Sequence, residues 1–74
     1  MESIQGLVEH IVYHNDTNGY TVFSMMCQGE EIVCIGTATS LDEGEYLRAE
    51  GEYIEHQVYG RQFKVSTMSV EIPE

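Results

Sequence analysis

The stretch Asn15-Asp16-Thr17-Asn18-Gly19-Tyr20-Thr21-Val22-Phe23-Ser24-Met25-Met26-Cys27-Gln28-Gly29-Glu30-Glu31-Ile32-Val33-Cys34 alternates turns with strands. Residues 15–19 concentrate turn-forming side chains, and Gly19 can take a positive φ. Tyr20 to Gln28 is apolar and aromatic, a composition that fits a pleated surface. Gly29-Glu30 makes a tight hairpin, and Glu31 to Thr39 returns as the next strand.

The same rhythm continues outward. Ser3 to His14 is rich in Ile, Val and Tyr and reads as the first strand. Leu41 to Glu45 is a connection that turns at Gly44. Tyr46 to Gln57 is the fourth strand, Val58 to Arg61 a turn, and Gln62 to Ile72 the fifth, ended by Pro73. Ser40 to Leu47 is the best helical candidate, with Ser40 as its cap, but Gly44 interrupts it. The spacing predicts an all-β domain, a small five-stranded Greek-key barrel of the OB-fold type, which hides its edges by closing on itself. Gly6 and Gly51 fall inside strands, where they either carry bulges or make room for a neighbouring segment. Alternation places Leu7, Ile11, Val22, Ile35, Leu47, Ile54, Val65 and Val70 in the interior. Register is least determined in Val22 to Met26, where both faces are apolar.

Residues 1–74 make one small domain with a thin margin of stability. A hydrophobic share of 42% is too high for a disordered chain. Thirteen acids against three Lys plus Arg give a net charge of -10, which repels phosphate and suits a basic partner. No run is long enough to span a membrane as a helix, and no signal peptide is present, so a cytoplasmic monomer is expected. Cys27 and Cys34 form no disulfide framework and read as buried structural thiols.

Catalytic motifs are missing. There is no phosphate-cradling Gly-rich loop ahead of Lys-Ser or Lys-Thr, and no nucleophile elbow. His10 and His14 lie roughly 13 Å apart on a strand, too far for one ion. His10 with Cys27 and Cys34 has zinc-ligand chemistry, yet no metal site is expected. The turn acids Glu30-Glu31 and Asp42-Glu43 read as solvated. The chain is therefore expected to catalyse nothing and to hold no cofactor.

Binding chemistry gathers at one tip. In Tyr59-Gly60-Arg61-Gln62-Phe63-Lys64, two of the three cations stand beside two aromatics. Cations take phosphates and aromatic faces take bases, the needs of a single-stranded nucleic-acid groove. In a barrel of this type the strand 1–2 and 4–5 connections meet at one rim. That rim gives Tyr13, His14, Tyr20, Tyr59, Arg61 and Lys64 as candidate contacts to single-stranded DNA, expected to weaken as salt rises. Phe63 alternates to the core side and Lys64 to the other. The competing reading is a docking module whose acids Glu50, Glu52 and Glu55 grip a basic surface.

The order of short motifs resembles a known family. Asn18-Gly19-Tyr20-Thr21-Val22, Val33-Cys34-Ile35-Gly36-Thr37, Gly44-Glu45, Glu50-Gly51-Glu52-Tyr53 and His56-Gln57-Val58-Tyr59-Gly60-Arg61-Gln62-Phe63 together look like the N-terminal OB-fold domain of RecD-like (RecD/TraA, YrrC-type) DNA helicases, relatives of the exodeoxyribonuclease V alpha subunit. The resemblance runs from about Gly6 to Pro73. It implies an excised accessory domain of an ATP-driven 5′-to-3′ helicase of DNA repair and recombination. The implied ATP and Mg2+ act on parts of the parent downstream, and the implied partners are single-stranded DNA or other domains of that helicase. The chain departs from the family in having Tyr53 where Trp is common, and Gln57-Val58 where Pro-Lys is common. The missing lysine removes one phosphate contact from the tip.

Overall fold

The computed structural model describes residues 1–38, 41–58 and 60–71. It contains five strands: β1 (Glu2–His14), β2 (Tyr20–Cys27), β3 (Glu30–Thr37), β4 (Tyr46–His56) and β5 (Gly60–Val70). They close into a barrel in the order β1-β2-β3-β5-β4, with β4 returning to β1. This is the predicted five-stranded OB-type barrel, and no helix occurs among the described residues. Ser40, the proposed cap, and Thr39, Ile72 and Pro73, the proposed strand ends, lie outside the described residues.

Closure rests on how the long strands are shared. β1 pairs with β4 from Glu2 to Leu7 and with β2 from Leu7 to His14. Bulges between Val8 and His10 and between Ile11 and Tyr13 bend β1 from one neighbour to the other. β3 meets β5 in the single parallel contact among the described residues, Cys34 opposite Phe63 and Ile35 opposite Lys64. The β3–β4 connection is tied back onto β1: Gly44 N–H donates to Val8 O, Val8 N–H donates to Glu45 O, and Ile11 N–H donates to Glu43 Oε2 at 3.0 Å. The Glu43 carboxylate thus serves a backbone donor beside a β1 bulge.

The β2–β3 hairpin turns at Gln28-Gly29, one residue earlier than Gly29-Glu30, with Cys27 paired to Glu30. Both turn residues have positive φ, 52° and 81°, the geometry that matches the twist of the flanking strands. Of Gly6 and Gly51, Gly51 sits at the β4–β5 bulge and Gly6 does not: its pairing with Leu47 is regular. Gly6 instead makes room, because a Cβ there would collide with the Met26 carbonyl.

The core consists of Val8, Phe23, Met25, Cys27, Cys34, Leu47, Ala49 and Phe63, with Ile11 and Val65 packed against it. Leu47, Ile11 and Val65 therefore fall as alternation predicts. Leu7 and Val70 are exposed, and Val22, Ile35 and Ile54 are only partly buried, so the interior register differs from the prediction. The reason lies in both-sided apolar strands and in the β1 bulges. The bulges break simple alternation in β1, which puts Val8 inside in place of Leu7. In β2 the neighbours Phe23 and Met25 fill the barrel, and Val22 faces outward.

Burial pushes the Cys34 thiol from an ordinary 9.0 up to about 12. The folded state then keeps a proton that the unfolded chain loses. Stability from this group is complete below about pH 9 and is lost as pH rises toward about 12. Urea titrations at about pH 8 and about pH 10.5 should show a larger alkaline loss in the wild type than in Cys34→Ala. An equal loss in both would show that this thiol does not titrate differently on folding. Cys27 is raised in the same direction, first by burial and then by Glu30.

Candidate nucleic-acid interface

The outward residues of β2, β3 and β4 form an open groove of about 520 Å³. Its floor is Val22, Val33, Ile35 and Ile54, and Val12, Tyr13 and Tyr20 stand at one end. His56 and Gln62 complete the lining. Val22 lies opposite Ile35, and Ile54 opposite Gln62, so the floor is built from cross-strand neighbours on one face. Three residues expected inside the barrel are thus the floor of an external groove.

Tyr13 and Tyr20 flank the β1–β2 connection. Their ring centroids are 6.4 Å apart at an interplanar angle of 56°, and they are 50% and 41% exposed. Two wet aromatic faces therefore stand over an apolar floor. The connection that presents them is tightly tied. Asn15 N–H donates to Tyr20 O, Gly19 N–H to Asn15 O, and Thr17 N–H to Asn15 Oδ1. Gly19 has φ 77°, the conformation its lack of a Cβ permits.

His14 is directed elsewhere. Its Nδ1 lies 2.8 Å from the hydroxyl of buried Thr21, which itself donates to Gly19 O at 2.9 Å. The Thr21 hydroxyl therefore accepts from His14 Nδ1–H. The other ring nitrogen, Nε2, lies 3.2 Å from Asp16 Oδ1. His14 fastens the loop and does not line the groove.

The cations are divided. Arg61 holds its guanidinium 4.2 Å from the centroid of the Tyr53 ring, and Tyr53 meets Phe63 edge-on at 5.0 Å. Burial pushes the Tyr53 phenol above its ordinary range, and Arg61 pulls the other way. Tyr53 belongs to the lining of a separate cleft beside Gly6 and Cys27, so Arg61 is placed away from the groove. Lys64 is exposed and pairs with Ile35 on one side and Glu52 on the other. Phe63 is buried, so alternation turns Lys64 to the outer face, where its register partner Ile35 belongs to the groove floor. Tyr59, the remaining rim candidate, lies outside the described residues. The β4–β5 hairpin closes with His56 opposite Gly60, and Val58 N–H donates to His56 Nδ1 at 3.1 Å.

The docking acids do not share one face. Glu50 and Glu52 project outward from β4, with Glu50 accepting from the Thr67 hydroxyl at 3.5 Å. Glu55 alternates to the side of Tyr53, opposite Arg61. Sequence reasoning missed Gln62, which is only 7% exposed in the groove. None of the hydrogen bonds among the described residues engages its side-chain amide. Its position beside Phe63, opposite the apolar Ile54 on β4, was the available signal. Among the described residues no three His, Cys, Asp or Glu side chains gather to hold a metal ion.

A family model described as the OB-fold domain of the ATP-dependent DNA helicase YrrC matches residues 1–73. A search of solved structures finds no match to the chain.

Proposed function

Since the chain belongs to the YrrC helicase OB-fold family, we propose that it is a non-catalytic accessory domain of a RecD-like, ATP-dependent 5′-to-3′ DNA helicase of repair and recombination. It contacts single-stranded DNA with the outer face of β2 and β3. Nucleotide and Mg2+ chemistry belongs to other parts of the parent helicase. The observation that carries this reading is the Tyr13–Tyr20 pair over an apolar floor, on the face through which barrels of this type bind oligonucleotides. Each ring offers a sequence-tolerant stacking surface worth about 1–3 kcal/mol per base.

The test is an NMR titration of the labelled domain with a short oligothymidine. Saturable shifts are expected at Tyr13, Tyr20, Val22 and Ile35. Tyr13→Ala and Tyr20→Ala are each expected to weaken binding by about 1–3 kcal/mol while the rest of the spectrum stays in place. The absence of shifts in this set at any salt concentration would defeat the proposal. Shifts produced only by oligolysine, and removed by Glu50→Lys with Glu52→Lys, would replace it with acidic docking.

A further inference from the structure

Resting on the reading of this face as a single-strand site, we infer that the groove takes the strand bases first, with Lys64 as its one phosphate anchor. The chain has three Lys plus Arg. Arg61 is held against the Tyr53 ring, on the far side of β4 and β5 from the groove. Arg48 pairs with Gln5 and Ser69, six residues along β4 from Ile54, a separation of about 20 Å. Lys64 alone stands beside the floor, next to Ile35, and Glu52 on its other side offsets part of its charge.

What the groove offers instead is chemistry for bases. Tyr13 and Tyr20 present stacking faces, and Val22, Val33 and Ile35 exclude water beneath them. Gln62 adds an amide that no hydrogen bond among the described residues engages, and it opens into the groove. An amide carries both donors and an acceptor, so it can meet the edge of any base without choosing among them. The ligand class is therefore an unpaired strand with its bases turned inward and its phosphates facing solvent or another surface of the helicase.

This arrangement has a salt signature. Each phosphate neutralised on a single strand contributes about -0.7 to the slope of log Kobs against log[salt]. One anchor gives a slope no steeper than about -0.7. The net charge of -10 repels phosphates, and added salt screens that repulsion, which flattens the slope further.

The experiment measures anisotropy of a labelled oligothymidine and of an abasic strand of equal length, between about 20 and 300 mM salt. Wild type and Lys64→Ala are compared. Lys64 is exposed, so the variant leaves the core intact. The abasic strand should bind at least about tenfold more weakly, since the stacking lost from Tyr13 and Tyr20 together is worth that much or more. Lys64→Ala should bring the slope to zero or above while oligothymidine still binds. Equal binding of the abasic strand, or a slope of about -2 or steeper, would overturn base-first entry and leave the single-strand reading standing. Binding of neither strand would bring down that reading itself.

Discussion

Gly51→Ala is expected to destabilise the domain by about 3 kcal/mol or more, enough to leave much of a small barrel unfolded. A Cβ at Gly51 would lie inside contact distance of the Lys64 carbonyl, and it would reach the Ser66 amide nitrogen at 3.1 Å. Both obstacles are backbone, so no side-chain rotation relieves them. Gly51 sits where the β4–β5 register shifts, between Glu50 opposite Thr67 and Gly51 opposite Val65. Moving β5 away would pull on Phe63 and Lys64, the residues that close the barrel against β3. Gly29→Ala is the control. It has open space around it and a φ of 81°, so only the left-handed backbone conformation is penalised, at about 1–2 kcal/mol. Urea midpoints of the two variants separate collision from conformation. If Gly51→Ala cost no more than Gly29→Ala, β5 would not pass as close to β4 as the structure places it.

The turns and the number of strands were legible because their chemistry is local. Gly19, Gly29, Gly44 and Gly60 all take positive φ, and each stands at or beside a connection read from composition. The interior was less legible because apolar residues occupy both faces. Val22 beside Phe23, and Ile35 beside Cys34, satisfy either register equally well. An antiparallel strand with one solvated face normally alternates polar and apolar residues. Apolar pairs of this kind were therefore the signal of an outer surface with its own apolar groove. The pairing of Arg61 with Tyr53 was hidden for another reason. It joins residues diagonal to each other across a hairpin, and becomes readable only once His56 is known to face Gly60. That one contact moves a cation from the expected rim to the opposite side of the hairpin.

Phe63→Ala is the second large effect, expected at about 3–5 kcal/mol. The ring is fully buried and lies opposite Cys34 in the short parallel contact between β3 and β5. Among the described residues that contact has two register pairs, so few backbone bonds reinforce it. Elsewhere each junction between strands has at least six pairs. The seam is therefore held largely by the side chains that meet beneath it, and Phe63 is the one that β5 contributes opposite Cys34. Its loss also removes the edge-on support of Tyr53, the ring on which Arg61 rests. Phe63→Leu keeps most of the volume and should cost distinctly less than Phe63→Ala. Hydrogen exchange distinguishes local from global loss. In Phe63→Leu, protection should fall first at Cys34, Ile35, Lys64 and the substituted position itself, while the β1–β2 pairs, which have their own bulged register, stay protected. Uniform loss of protection would mean that the seam is no weaker than the rest of the barrel, and that closure depends on backbone pairing as much as on this ring.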